Sequence, residues 1–116
     1  MDLTVEMVTF DCTDPTRLAD WWSTALGGKV VPVVPGEFLV LAPESGPRLG
    51  FQRVAEPTPG KARIHLDFST RDVEAEVARL VALGATETAR HSFGEFGWVV
   101  LEDPDGNVFC VAPMMG

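Results

Sequence analysis

Two seven-residue stretches decide the fold: VTFDCTD at residues 8–14 and LDFSTRD at residues 66–72. The aspartates that end them, Asp14 and Asp72, are 58 positions apart. Each stretch joins a strand-like apolar pattern to an aspartate, which can accept hydrogen bonds from the first N–H groups of a helix. Both stretches therefore predict a strand that leads directly into a helix, and their spacing predicts an internal repeat.

The predicted helices have the same design in both halves. From Leu18 onward, apolar residues recur three and four positions apart, as they do on one face of an amphipathic helix, and the pattern ends at Gly27. The second helix repeats this pattern from Val73 and ends at Gly84. In the second half, the strand, the capping aspartate, the apolar helix face and the terminating glycine follow their counterparts in the first half by nearly the same number of residues. We therefore interpret the chain as a duplication.

Short β-rich runs follow each helix. They cover residues 29–34, 37–42 and 48–54 in the first half, and residues 85–90, 96–102 and 107–112 in the second. The sequence DPDG at residues 103–106 is typical of a tight turn. The sequence therefore predicts one α+β domain, residues 1–116, built from two βαβββ modules at about residues 1–55 and 62–114.

The composition limits the classes of function. The chain has nine Lys and Arg residues and 17 Asp and Glu residues, which gives a net charge of −8. Nucleic-acid binding, in contrast, needs clustered positive charge. The apolar runs fall far short of the roughly 20 residues of a membrane span, and the first residues lack a signal-peptide pattern. We therefore expect a cytoplasmic protein with neither nucleic acid nor membrane as partner. Cys12 and Cys110 have no zinc or redox spacing, which favours two buried apolar thiols over a disulfide.

The opening strand of the second half has an apolar and a polar face. Alternation assigns three apolar side chains to the face under the helix, namely Ile64, Leu66 and Phe68. It assigns three polar side chains to the opposite face, namely Arg63, His65 and Asp67. The polar face must meet solvent, a partner surface or a cleft.

The repeat also relates two pairs of residues near the ends of the modules. His65 follows Met7 by 58 positions, and Cys110 follows Gln52 by 58 positions. Two interpretations of His65 remain open. It either contacts a ligand or transfers a proton, a task that suits an imidazole with a pKa of about 6.5, or it is a structural residue satisfied by Asp67 or by backbone groups. Cys110 is predicted to be a small buried residue rather than a nucleophile.

In the order and spacing of these sequence segments, the chain resembles members of the glyoxalase-like branch of the vicinal oxygen chelate superfamily, which includes bleomycin-resistance proteins. The resemblance covers essentially the whole chain. It rests on residues 14–15, 21–22, 26–28, 59–61, 65–67, 72–75, 83–85 and 103–107. It implies a curved mixed sheet with a concave cleft for a small molecule, and it implies a homodimer.

In metal-using members of this superfamily, each module provides one ligand on its first strand and one on its last strand. The resemblance places these positions at Met7, Gln52, His65 and Cys110. Ions such as Mg, Mn, Fe(II), Ni and Zn are bound mainly by imidazole and carboxylate groups, and only His65 is such a group. Because the sequence departs from the family pattern at these positions, we expect no metal cofactor, with a divalent ion or copper(I) as less favoured alternatives.

The predicted ligand-binding residues are Met7, Gln52, Arg63, His65, Asp67 and Cys110, with no metal ligand among them. The favoured function is binding of a small, partly apolar molecule for sequestration or resistance. The first alternative is a lyase, isomerase or dioxygenase, either metal-dependent or using His65 as the acid or base. The second is a homodimeric partner domain without a ligand. Residues 93–98 are expected to form a loop at the cleft or a hairpin with its aromatic side chains folded under, and His91 is expected in an exposed loop.

Overall fold

A computed structural model describes residues 2, 5–60 and 62–114 of the chain. The chain divides into two compact units, Met1–Pro59 and Gly60–Gly116, and the predicted modules fall inside them. Each unit contains one helix and one four-stranded mixed sheet, in the order βαβββ. The predicted α+β fold with a duplicated βαβββ module is therefore confirmed.

The first unit consists of β1 (Met7–Cys12), α1 (Pro15–Leu26), β2 (Lys29–Val34), β3 (Phe38–Ala42) and β4 (Arg48–Arg53). Its strands lie in the order β1-β4-β3-β2, and the pairing of β1 with β4 is parallel while the other pairings are antiparallel. The second unit repeats this topology with β5 (Leu66–Thr70), α2 (Val73–Leu83), β6 (Thr86–Phe93), β7 (Phe96–Glu102) and β8 (Val108–Pro113). Its strand order is β5-β8-β7-β6.

Both helices begin at the predicted aspartates. Asp14 accepts a hydrogen bond from the backbone N–H of Arg17 at 3.2 Å, and Asp72 accepts one from that of Ala75 at 3.1 Å. Each bond satisfies one of the N–H groups that have no partner within a helix. Gly84 ends α2 with φ of 117°, a left-handed conformation that a side chain would strain.

Aromatic side chains join helix and sheet in the first unit. Phe10 stacks on Phe51 with ring centroids 5.2 Å apart, and it contacts Trp22 of α1 at 5.6 Å. Phe51 and Trp22 are fully buried. Burial of such a side chain contributes about 1.5–3 kcal/mol, so this cluster fixes α1 on one face of the sheet and leaves the other face without a helix from this unit.

In the second unit the predicted alternation does not reach residues 63–65. β5 begins at Leu66, which is paired with Phe109 of β8, and residues 63–64 form a bend. Strand alternation cannot orient side chains that lie before the strand. The prediction that Ile64 packs under the helix is therefore wrong, since Ile64 is 82% exposed.

The hairpin between β6 and β7 is longer than the sequence predicted. Its antiparallel pairing continues to Phe93 and Phe96, and only Gly94 and Glu95 remain for the turn. The prediction that His91 lies in a loop is wrong, because this pairing places His91 in β6, directly opposite Trp98 of β7. The prediction that His91 is exposed is confirmed. The backbone of residues 93–98 thus follows the hairpin alternative. The other strands end within one residue of their predicted bounds.

Neither α1 nor α2 has the length and apolar character that a membrane-crossing helix requires, and these are the helices of the described part of the chain.

Candidate functional site

The sheet of the second unit has one face covered by α2 and one face that α2 does not cover. Arg90 of β6 identifies the covered face, because its guanidinium contacts the Glu74 carboxylate of α2 at 2.7 Å. Side chains alternate along a strand, so the neighbours of Arg90 point to the opposite side. We call this opposite side the helix-free face of the second sheet.

The pairing of the strands aligns side chains in rows across the helix-free face. One row runs from Asp67 of β5 through Cys110 of β8 to Val100 of β7. On β7, Trp98 lies two residues before Val100 on the same face, roughly 7 Å away along the strand. His91 is paired with Trp98, and their rings are 5.5 Å apart. A polar end and an aromatic end therefore share this face.

Three side chains form the polar end, which we call the His65 cluster: His65, Asp67 and Cys110. Nε2 of His65 lies 3.4 Å from Oδ1 of Asp67. One nitrogen of His65, one oxygen of Asp67 and Sγ of Cys110 all lie within 4.8 Å of one another. The parallel pairing of β5 with β8 explains this arrangement, because it places Asp67 directly opposite Cys110.

Exposure differs sharply within the His65 cluster. The side chains of His65 and Asp67 are 46% and 71% exposed, whereas Cys110 is only 5% exposed. Burial raises the pKa of the Cys110 thiol, and the nearby Asp67 carboxylate raises this pKa further because it repels a thiolate. At neutral pH Cys110 is therefore a neutral thiol. This agrees with the prediction that Cys110 is a buried residue and no activated nucleophile.

The remaining predicted residues lie outside this cluster. Arg63 is exposed in the bend before β5, so the strand does not hold it beside His65. Met7 and Gln52 belong to the first unit. A Cβ atom at Gly50 would come within 2.9 Å of Sδ of Met7, and Gln52 is two residues further along β4. Met7 and Gln52 therefore share the face of the first sheet that α1 does not cover.

Sequence reasoning gave residues 93–98 a place at the cleft as one alternative, but it did not single out Trp98 or His91 as binding residues. Trp98 is half-buried beside Phe96, with ring centroids 6.1 Å apart, and its other neighbour is His91. The alternation of Phe96, Trp98 and Val100 was the available signal, since it places an aromatic and apolar surface on one face of β7. The position of His91 depends on the length of the hairpin, which no local sequence pattern indicated.

The residues present do not fit the divalent metal site that the resemblance implies. Met7 offers a thioether, Gln52 offers a neutral amide, and Cys110 offers a protonated thiol, whereas labile hard ions prefer imidazole and carboxylate ligands. Asp67 does supply a carboxylate beside His65, at a position outside the implied set. No chemical step is therefore derived through a metal of that type.

Comparison with known proteins supports the fold. Residues 7–112 match the model of a family described as glyoxalase-like domain. No curated protein matches the chain. A glyoxalase/bleomycin resistance protein/dioxygenase family enzyme from Burkholderia phytofirmans PsJN is 20% identical, with a TM-score of 0.77 and coverage of 97% of this chain and 100% of that chain.

Two further solved structures are similar at lower TM-scores. TioX from Micromonospora sp. ML1 is 18% identical, with a TM-score of 0.70 and coverage of 97% of this chain and 100% of that chain. A lactoylglutathione lyase from Agrobacterium tumefaciens is also 18% identical, with a TM-score of 0.70 and coverage of 95% of this chain and 92% of that chain. At these identities the similarity concerns the fold. Because the family model spans nearly the whole chain, the protein belongs to the glyoxalase-like domain family of the vicinal oxygen chelate superfamily.

Proposed function

We propose that this protein binds a small, partly apolar organic molecule, for sequestration or resistance, without a catalytic metal of the type common in its superfamily. One observation carries the proposal: the helix-free face of the second sheet combines the His65 cluster with the half-buried aromatic surface at Trp98. Small-molecule sites typically combine an apolar lining with a few convergent polar groups. The predicted ligand residues of the first unit, Met7 and Gln52, stay predictions.

Each end of the helix-free face would make a distinct contribution. Trp98 offers an apolar ring surface for stacking, and burial of apolar area contributes about 25 cal/mol per Å². His65 and Asp67 offer an imidazole and a carboxylate, which can exchange hydrogen bonds with a hydroxyl group. A typical hydrogen bond of this kind contributes about 0.5–1.5 kcal/mol net. A ring that bears one hydroxyl group therefore matches this surface.

The alternative is an enzyme of lyase, isomerase or dioxygenase type in which His65 acts as acid or base. The contact between His65 and Asp67 at 3.4 Å supports this alternative, because a carboxylate can orient an imidazole and stabilise its charged form. The arrangement of His65, Asp67 and Cys110 does not suit nucleophilic catalysis by the cysteine. Burial and the nearby Asp67 carboxylate raise the pKa of Cys110, whereas an activated cysteine needs a lowered pKa. Binding is therefore the preferred function.

A pair of probes tests the proposal with the full chain. Binding of 2-naphthol and of naphthalene is measured by saturation-transfer NMR, and dissociation constants are measured by isothermal titration calorimetry. We expect His65→Ala to weaken 2-naphthol about 3- to 10-fold and to leave naphthalene unchanged, since only the hydroxyl group loses a partner. Trp98→Ala is expected to weaken both probes, because both stack on the ring.

The matched control is Val81→Ser, which changes an exposed apolar side chain of α2, away from the helix-free face. Val81→Ser should leave both dissociation constants unchanged. Failure of both probes to bind, or equal binding by wild type, His65→Ala and Trp98→Ala, would remove the helix-free face as the binding surface. A His65→Ala variant that binds normally but melts much earlier would make His65 a structural residue.

Two expectations from the sequence stay predictions. The resemblance implies a homodimer, which light scattering coupled to size-exclusion chromatography measures directly as a mass of twice the 12.6 kDa chain. The cytoplasmic location is predicted from the sequence and is tested by fractionation of cells that express the untagged chain.

A further inference from the structure

We propose that the helix-free face of the second sheet selects an aromatic ligand that carries a positive charge, such as an arylmethylamine, over the same ring with a neutral or negative substituent. This class of ligand is named for the surface of the proposed function, on which the inference rests. Its basis is the placement of two carboxylates, those of Asp67 and Glu102, around the half-buried ring of Trp98.

Strand pairing places Glu102 on the helix-free face. Cys110 of β8 is paired with Val100 of β7, and Val108 is paired with Glu102 in the same way. Val100 and Glu102 are two residues apart on one strand, so their side chains point to the same side of the sheet. Glu102 is half-buried, whereas the Asp67 side chain is 71% exposed. The face therefore carries a second carboxylate in addition to that of Asp67.

The two carboxylates lie on different sides of a floor formed by Cys110 and Val100. Asp67 is paired with Cys110, and Cys110 is paired with Val100. Glu102 and Trp98 are the neighbours of Val100 on this face of β7, one on each side and each roughly 7 Å away. A ring that stacks on Trp98 can therefore direct a short substituent over this floor, toward the carboxylates.

No basic side chain of the sheet balances these carboxylates. Arg90 is the only Lys or Arg residue in strands β5 to β8, all of which lie in the described part of the chain. Its guanidinium lies on the side that α2 covers, where it contacts the carboxylates of Glu74 at 2.7 Å and Glu87 at 2.9 Å. His65 and His91 are positive only when protonated. The helix-free face therefore attracts a cation and repels an anion.

The Trp98 ring adds an attraction that depends on the charge of the ligand. The negative face of an indole attracts an ammonium group, whereas an alcohol on the same ligand ring lacks this attraction. An exposed ion pair and an exposed cation–π contact are each weak. Together they should make an arylmethylamine bind roughly 3- to 20-fold more tightly than the arylmethanol with the same ring.

Three probes that share one ring test the preferred charge: 2-naphthylmethylamine, 2-naphthylmethanol and 2-naphthoate. At pH 8 the first is positive, the second is neutral and the third is negative. Their dissociation constants with the full chain are measured by isothermal titration calorimetry at low and at physiological ionic strength. We expect the amine to bind roughly 3- to 20-fold more tightly than the alcohol and the naphthoate to bind most weakly. Added salt should reduce both differences, because it screens exposed charges.

Variants assign the preference to the two carboxylates. Asp67→Asn and Glu102→Gln keep the size of each side chain and remove its charge. Each should lower the ratio of amine affinity to alcohol affinity, and the double variant should bring this ratio close to one. The ratio reports on charge, because a loss of folding would weaken both probes. The matched control is Glu76→Gln, which removes a negative charge from α2, on the other side of the sheet, and should keep the wild-type ratio.

The possible failures are distinguishable. Wild-type binding of the alcohol without any preference for the amine would overturn the inference and leave the proposed function intact. A ratio that the double variant leaves unchanged would also overturn the inference, and so would a ratio that falls as far in Glu76→Gln as in Glu102→Gln, since net charge alone would then explain the preference. Failure of all three probes, together with failure of 2-naphthol, would remove both the inference and the proposed function.

Discussion

Leu80→Asp tests the register of α2 against the second sheet. Leu80 is 6% exposed, whereas Ala82, two residues later in the same helix, is exposed to solvent. Truncation of a buried leucine typically costs about 2–5 kcal/mol, and burial of an unpaired carboxylate adds several kcal/mol. The combined cost equals or exceeds about 5 kcal/mol, which is comparable to the total stability of about 5–15 kcal/mol for a natural domain.

Ala82→Asp is the matched control for Leu80→Asp, because it introduces the same residue into the same helix at an exposed position. We expect Ala82→Asp to change stability by less than about 1 kcal/mol. The assays are urea unfolding followed by far-ultraviolet circular dichroism, and ¹H–¹⁵N NMR spectra that report on residues of each unit. A Leu80→Asp protein with dispersed signals from the second unit, and with the urea midpoint of Ala82→Asp, would refute the assigned register.

Three further predictions concern charge and turn chemistry in the second unit. Arg90 lowers the pKa values of Glu74 and Glu87 from their usual 4.5, so this network stabilises the fold above that pH, and the stabilisation is lost as pH falls through the lowered values. Arg90→Ala should therefore make the melting temperature depend less on pH below 4.5. Cys110 has a raised thiol pKa, so metal-free protein should react with iodoacetamide more slowly than glutathione at pH 7.5, and a faster rate would contradict the assigned burial. Asp103 is 4% exposed and accepts three hydrogen bonds at its Oδ1 atom. Asp103→Ala should therefore lower the free energy of unfolding, measured in urea, by about 2 kcal/mol or more. An unchanged urea midpoint would show that water replaces the carboxylate.

Local chemistry determined which parts of the fold could be predicted. Asp14 followed by Pro15 marks a helix start because both residues act within one turn, and the structure has α1 at Pro15–Leu26. The start of β5 could not be predicted in the same way. Leu66 is the first paired residue because β8 offers Phe109 opposite it, and this partner lies far away in the sequence. The length of the β6–β7 hairpin, and with it the position of His91, likewise depends on pairing with a partner strand, which the local sequence does not show.

The candidate site was predicted residue by residue but not as a cluster. The repeat identified His65 and Cys110 through their counterparts in the first module, and strand alternation associated Asp67 with His65. That Asp67 lies directly opposite Cys110 follows from the parallel register of β5 and β8, which apolar periodicity does not determine. Burial raises the pKa of Cys110 most, and the contact with Asp67 raises it further.

Asp67 is the residue that connects the other two members of the His65 cluster. Its carboxylate lies 3.4 Å from the imidazole of His65 and directly opposite Cys110. Burial raises the pKa of the Cys110 thiol, and the Asp67 charge raises it further. The same carboxylate offers an acceptor for a hydroxyl group of an organic ligand. Asp67→Asn keeps the shape of the side chain and removes the charge, so it should weaken 2-naphthol less than His65→Ala does, because an amide still accepts a hydrogen bond.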